Sequence, residues 1–218
     1  MNKTTTLLSS ALAIILGSGT LLAETRREKF DFDAFEPVTL ADKLYIRANA
    51  TSLLPGNKEL RDTTGAGWGA MAAVGYEWSI DELAGFQVEL ESGWMEMKGT
   101  ESGTSNSVTV DEVPMLFSAR YVLYAGKGWQ FSAGPSVGAS YLRCKVSTPT
   151  DSGSDSDLVF AAGLGLVATY AFNEHLAVDA GYRYLWTTRA MFDLGNGQEK
   201  RLESAGGHLF QLGARVSF

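Results

Sequence analysis

Hydrophobic and polar residues alternate one by one along most of the chain that follows residue 42. A period of two is the period of a β-strand, in which successive side chains point to opposite faces of the sheet. The pattern predicts eight strands, near residues 43–54, 67–78, 85–97, 109–124, 128–146, 157–172, 175–189 and 205–218. The alternation in the eighth segment continues to Phe218, where a frayed polar tail would be the usual expectation.

The connections between these segments alternate in length. Short connections lie near 79–84, 125–128 and 173–175, and long ones near 55–66, 98–108, 147–156 and 190–206. Antiparallel neighbours joined in this way form an up-and-down meander, with the tight turns at one end of the sheet and the long loops at the other. The long loops are where recognition would be expected, because loops on a rigid scaffold commonly carry it.

The two faces of each predicted strand differ in bulk. In the sixth segment, one face carries Leu158, Phe160 and Leu164, whereas the other carries Gly163 and Gly165. An eight-stranded barrel has room inside for side chains only, so the bulky face must point outward. Because such a belt would aggregate in water, the pattern predicts an all-β, eight-stranded antiparallel up-and-down transmembrane β-barrel over residues 43–218. A soluble barrel that buries its bulky face around a ligand is the alternative.

Aromatic residues on the bulky face fall into two groups that predict two interfacial rings. Trp68 and Trp78 lie ten residues apart on one face, which is roughly 26 Å of height for a tilted strand. The apolar band of an outer-membrane barrel is about 25 Å tall. The ring at the long-loop end comprises Trp68, Trp94, Tyr141, Phe160, Tyr184, Trp186 and Phe210, and the ring at the tight-turn end comprises Tyr76, Trp78, Phe86, Tyr121, Trp129, Phe131, Tyr170, Phe172 and Phe218.

The small-residue face carries charges that would lie inside the barrel. Charge buried there is costly unless it is paired, so we expect an ion-paired plug rather than a wide pore. The order of the strands places the glutamates between Arg47 and Arg120, and Asp179 and Arg183 beside Arg215. We call this set the lumen charge cluster: Arg47, Glu77, Glu89, Glu91, Arg120, Asp179, Arg183 and Arg215.

The N-terminal segment predicts that the protein is exported, and the composition limits its partners. Residues 1–23 combine Lys3 with a short apolar run and small residues, which predicts a signal peptide, and residues 24–42 are interpreted as a periplasmic lead-in. The formal net charge of −7 argues against nucleic acid as a partner. The one cysteine, Cys144, rules out an intramolecular disulfide; it is either an unpaired small residue or a link between chains.

The stretch 160–188, FAAGLGLVATYAFNEHLAVDAGYRYLWTT, resembles the late strand–turn–strand of small outer-membrane β-barrels, a group that includes the OmpA-like transmembrane domain and the opacity-type porins. Gly181, Tyr182, Arg183, Tyr184 and the terminal Phe218 match most closely. The resemblance covers 43–218 and implies the outer membrane of a diderm bacterium. It also implies insertion by the outer-membrane assembly machinery, for which Phe218 would be the signal, and a mostly non-enzymatic role.

The function expected from these features is structural or surface-interacting: a plugged, non-conducting barrel that displays loops among outer-membrane lipids. A narrow pore or a port for small or hydrophobic molecules is the alternative, and a lipid-modifying enzyme is a third class. No catalytic, cofactor or metal site is predicted, because His175 and His208 lack an obvious nucleophile and acid. Three aspartates in a solvated loop lack the glycine and the final glutamate of a calcium loop: Asp151, Asp155 and Asp157.

Overall fold

The computed structural model of the protein describes residues 42–100, 106–148, 152–193 and 199–218. All of these belong to one compact unit, Pro37–Phe218. The predicted signal peptide 1–23 and the lead-in up to residue 41 lie outside the described residues. In the described part of the chain, no helix is both long enough and apolar enough to cross a membrane.

Ten strands and one short helix make up the described chain. In chain order they are β1 (Lys43–Pro55), α1 (Lys58–Thr64), β2 (Gly67–Ser79), β3 (Ala84–Thr100), β4 (Ser107–Gly126), β5 (Trp129–Ser147), β6 (Ser152–Ala171), β7 (Leu176–Thr187), β8 (Ala190–Asp193), β9 (Glu199–Leu202) and β10 (Gly207–Ser217). Eight of them close a barrel in the order β1-β10-β7-β6-β5-β4-β3-β2, while β8 and β9 form a separate hairpin. The predicted eight-stranded up-and-down barrel is confirmed.

The first and last strands close the barrel. β1 and β10 run antiparallel from the pair Tyr45 and Ser217 to the pair Pro55 and Gly207. One further bond extends this seam, because the backbone N–H of Phe218 donates to the carbonyl of Leu44 at 2.9 Å. Closure leaves no open edge in the lipid, where an unpaired backbone group would cost several kcal/mol.

The bulky face of the sheet points outward, as the alternation predicts. Leu164 and Leu212 are 61% and 67% exposed, and Gly163 and Gly213 beside them belong to the inner face. The aromatic residues of both rings also lie on the outer face, where ring contacts such as Trp129–Tyr170 (5.0 Å between centroids) link neighbouring strands. A surface this apolar is stable in hydrocarbon and not in water.

The tight turn between β4 and β5 depends on glycine. Gly126, Lys127 and Gly128 all have positive φ, at 74°, 54° and 79°. Positive φ at the two residues between the strands is the requirement of the hairpin turns that match strand twist, and glycine adopts it without steric cost. A Cβ at Gly128 would also lie 2.5 Å from the carbonyl oxygen of Ala171.

Two of the four long connections are shorter in the structure than the sequence predicts. β3 continues to Thr100 and β6 begins at Ser152, so part of each of the predicted loops 98–108 and 147–156 is strand. The other two long connections contain α1 and the β8–β9 hairpin. Serine, threonine and glycine predict a loop here. Outside the membrane, however, a strand can go on pairing with its neighbour without an apolar outer face.

The hairpin covers the free edge of the extended part of β6. The carboxylate of Asp155 accepts the backbone N–H of Asp193 at 2.7 Å, and that of Asp157 accepts the N–H of Met191 at 3.1 Å. The N–H groups of Asp193 and Ser156 hold the pKa of Asp155 below its usual range. These two aspartates therefore bind backbone amides at the barrel mouth instead of forming a solvated loop, and Asp151 lies outside the described residues.

Candidate functional site

The inner face of the barrel brings the lumen charge cluster together. All eight of its side chains are buried, with exposed fractions of 3% or less. They come from six strands, because alternate positions of every strand point into the same narrow space. At this depth each charge needs a counter-charge to be tolerated.

Five members of the lumen charge cluster form one continuous chain of ion pairs. Arg47 lies 2.8 Å from the carboxylate of Glu89 and 2.9 Å from that of Glu91. Arg120 contacts Glu89 at 2.5 Å, and Arg183 pairs with Glu91. The chain joins β1, β3, β4 and β7, so it crosses the lumen from one wall to the other.

A separate ion pair inside the lumen bridges the two strands that flank β1. Arg215 on β10 lies 2.8 Å from Glu77 on β2, and the hydroxyl of Tyr124 donates to the same carboxylate at 3.1 Å. The guanidinium of Arg215 also stacks 3.8 Å above the ring of Tyr45. A guanidinium with both a carboxylate and an aromatic face is held in one orientation.

The structure differs from the sequence prediction in the choice of partners. The order of the strands places Asp179 beside the two arginines Arg183 and Arg215, as the acid available to them. Instead, Arg183 and Arg215 reach across to Glu91 and Glu77, while Asp179 accepts a hydrogen bond of 2.6 Å from Thr169. The barrel is narrow enough for an arginine to span it, so adjacency in the sheet does not determine the pairs.

A second, apolar layer fills the outer part of the lumen. Inward side chains of the barrel meet residues of α1 and of the connection that carries the hairpin, and together they form one buried cluster. We call this cluster the outer plug: Leu53, Leu60, Met71, Met95, Met97, Val108, Val110, Leu142, Cys144, Val159, Ala190, Phe192, Ala205 and Leu209. A small cavity of about 30 Å³ remains beside it, bordered by Leu60, Cys144, Phe192 and Arg201.

The outer plug and one further buried acid, Glu112, are absent from the sequence prediction. The even-numbered positions of β4 face inward, so counting back from Arg120 in steps of two reaches Glu112 and Val110. Glu112 is fully buried, and its Oε1 accepts a hydrogen bond of 2.6 Å from the hydroxyl of Ser140. With Glu112 included, the lumen holds one more acid than the balanced set that the sequence predicts.

The two histidines lie away from the lumen. His175 is in the turn before β7, where its Nδ1 lies 3.0 Å from the carbonyl of Ser217. His208 is on the outer face, as the alternation predicts, and its Nδ1 lies 2.9 Å from the hydroxyl of Tyr182. Among the described residues, no group of three or more His, Cys, Asp or Glu side chains is arranged to hold a metal ion.

Removing one charge from the ion-paired chain tests the pairing. The change Arg120→Ala leaves Glu89 with one cation fewer in a water-poor lumen, and breaking a buried pair typically costs about 3–5 kcal/mol. We expect a clearly lower melting temperature, measured by heat-modifiable migration on a denaturing gel. Lys98→Ala is the matched control, because its pair with Glu96 lies on the exposed outer face. Equal melting temperatures for Arg120→Ala and the unsubstituted protein would contradict the pairing.

Comparison with known proteins agrees with this geometry. The family model described as "Outer membrane protein beta-barrel domain" matches residues 37–218. A comparison with curated protein sequences finds no match.

Solved structures of small outer-membrane barrels share the fold. Neisserial surface protein A is 16% identical, with a TM-score of 0.51 over 80% of this chain and 97% of that one. A major outer membrane protein from Thermus thermophilus is 15% identical, with a TM-score of 0.54 over 80% and 99%. OprG from Pseudomonas aeruginosa is 13% identical, with a TM-score of 0.54 over 82% and 96%. The chain belongs to the outer membrane protein beta-barrel family and is an integral protein of the Gram-negative outer membrane.

Proposed function

We propose that this protein is a non-enzymatic outer-membrane barrel whose lumen is closed to ions and whose outer end is its functional surface. The observation that carries the proposal is the chain of ion pairs from Arg120 through Glu89, Arg47 and Glu91 to Arg183. These side chains occupy the space that a conducting path would need, since an eight-stranded barrel holds little more than its own side chains.

The outer plug adds a second barrier in series. An ion that passed the ion-paired layer would next meet methionine, leucine and valine side chains, and a constriction of this kind excludes hydrated ions by dewetting. Leu60 from α1 and Phe192 from β8 belong to this layer, so the outer connections contribute to closing the barrel. Two barriers of opposite chemistry support a structural role over a transport role.

The outer end provides a rigid platform for contact with the surroundings. The extensions of β3 to β6 hold it above the outer aromatic ring, and α1 and the hairpin complete it. Its composition of serine, threonine, glycine and acidic residues suits solvation, or contact with lipid headgroups through cations. A tight protein hot spot would favour tryptophan, tyrosine or arginine.

The positions of the histidines support a non-enzymatic role. Nucleophilic catalysis needs a nucleophile within hydrogen-bond reach of a base. In the described structure, His175 contacts a backbone carbonyl and His208 contacts a tyrosine hydroxyl, with aromatic rings packed around it. Neither contact supplies a serine, threonine or cysteine as nucleophile.

Planar-bilayer recording tests the closed lumen. We expect the inserted protein to show no steady conductance at neutral pH, because both layers block the path. Insertion is verified separately, by heat-modifiable migration of protein recovered from vesicles of the same lipid. Reproducible single-channel steps would overturn the proposal in favour of a narrow pore, and altered acyl chains in the envelope of overexpressing cells would favour an enzyme.

We also propose Phe218 as the signal that the outer-membrane assembly machinery reads. Its ring is 65% exposed and its backbone forms one seam hydrogen bond, so it contributes only about 1 kcal/mol to the folded barrel. Deleting Phe218 should therefore lower the yield of membrane-inserted protein several-fold and leave the melting temperature of the inserted fraction nearly unchanged.

Phe210→Ala is the control for Phe218, since Phe210 is an exposed aromatic on the outer face of β10, the strand that Phe218 directly follows. We expect this variant to insert with normal yield. If the two variants insert equally well, Phe218 is no signal; if the deletion lowers yield and melting temperature in parallel, its role is in stability alone.

A further inference from the structure

Glu112 is a buried acid that the closed barrel does not neutralise. Its exposed fraction is 0%, and the hydroxyl of Ser140, 2.6 Å away, is the one polar group that contacts it in the described structure. Its second oxygen, Oε2, is buried and has no hydrogen-bond partner among the described residues. No arginine or lysine of the described chain forms an ion pair with it.

The surroundings of Glu112 are those of the outer plug. Its partners in the strand ladders are Met95 on β3 and Leu142 on β5, and both belong to that plug. The ladder between β3 and β4 skips the two positions next to Glu112, where Pro114 cannot donate a backbone hydrogen bond. Glu112 therefore lies among apolar side chains, next to a gap in the hydrogen-bonded ladder between β3 and β4.

Most of the other ionisable groups that face the lumen have charged or hydrogen-bonding partners of their own. The arginines of the lumen charge cluster are engaged with Glu77, Glu89 and Glu91. The acids at the mouth, Asp155 and Asp157, accept backbone N–H groups of β8. Asp179 accepts a hydrogen bond from Thr169 and lies close enough to Arg47 to interact with its charge. Arg201, at the rim of the cavity, pairs with Glu203, and the remaining groups are the phenols Tyr45 and Tyr124 and the thiol Cys144.

The energetic consequence follows from burial. An ionised carboxylate with a single hydroxyl donor and no counter-ion is far more costly to bury than a neutral carboxylic acid, so the group keeps its proton instead. The same carboxylate would be well solvated if water reached it. The ionised form of Glu112 thus favours any state in which the outer plug admits water, and the protonated form favours the packed state.

We propose that Glu112 is a proton-binding site that controls the outer plug. In the closed state the side chain is a neutral acid; when the plug opens, the O–H bond breaks, the proton passes to water and the electron pair stays on the carboxylate. Opening is therefore promoted by rising pH and opposed by falling pH. The ion-paired layer below takes no part in this step, so the inference does not depend on a closed lumen.

The chain carries its own reporter for this movement. Cys144 is the one cysteine of the sequence, and it is buried in the outer plug one inward position beyond Leu142 on β5. A thiol in this position reacts with a small maleimide only when the plug admits the reagent. The rate of Cys144 modification therefore measures the open fraction.

The experiment follows modification of Cys144 by N-ethylmaleimide from pH 5 to 9, in the full chain inserted in vesicles. Each rate is divided by the rate for free N-acetylcysteine amide at the same pH. The ratio is thereby corrected for most of the pH dependence that comes from ionisation of the thiol. We expect this ratio to rise with pH. The rise approaches tenfold per pH unit in the range where Glu112 is protonated in the closed state and ionised in the open state. A ratio that stays flat or falls overturns the proposal, whatever any variant does.

Two variants assign the effect to Glu112. Glu112→Gln keeps the shape of the side chain but cannot ionise. Glu112→Met replaces the acid with an apolar side chain suited to the plug. In each variant that shows heat-modifiable migration, the ratio should be independent of pH. Glu96→Gln is the control, because it removes a carboxylate from the outer face of β3 and should keep the full slope. A variant of Glu112 that retains the slope would show that another group controls the plug.

Discussion

The lack of room for solvated charge inside a small closed barrel is the constraint on which this structure depends. Eight strands enclose space for side chains and little else, so an ionised group inside must be met by an opposite charge from another strand. The pairs of Arg47 and Arg120 with Glu89, and of Arg215 with Glu77, meet this requirement. The same ion pairs fill the interior and connect side chains from different strands of the sheet.

The outer surface of the barrel carries the bulky apolar side chains for the same geometric reason. Since bulky side chains cannot fit inside, they face lipid, where Leu164 and Leu212 are stable and unpaired backbone groups are not. Closure of β1 against β10 satisfies the last backbone groups of the sheet. The paired charges inside, the bulky apolar side chains outside and the closed seam all follow from a narrow barrel that is surrounded by lipid.

Much of this arrangement could be predicted from the sequence, because a period of two determines which face each residue occupies. Alternation placed Arg120 and Glu89 inside and Trp68 outside. It could not identify the partner of Arg215, because that depends on the width of the lumen and on which arginine reaches which acid across it. Only the folded barrel shows the pair with Glu77.

The outer third of the barrel was less predictable for a different reason. Outside the membrane a strand needs no apolar outer face, so the extensions of β3 and β6 resemble loops in composition. Phe192 reaches the lumen from a hairpin that is distant in the chain, and no local pattern indicates that contact. Glu112 is the exception: strict alternation from Arg120 places it inside, and its lack of a partner becomes visible only with the surrounding packing.

A double-mutant cycle on Arg215 and Glu77 tests the central claim most directly. The two residues lie on β10 and β2, which flank β1 without pairing with each other, so their interaction passes over the inner face of β1 inside the barrel. Replacing Arg215 by Met and Glu77 by Gln, singly and together, gives their coupling from the free energies of unfolding. Buried pairing predicts a coupling of roughly 2 kcal/mol or more, with the double variant destabilised by less than the sum of the two single variants. Effects that add to within about 0.5 kcal/mol would contradict the account.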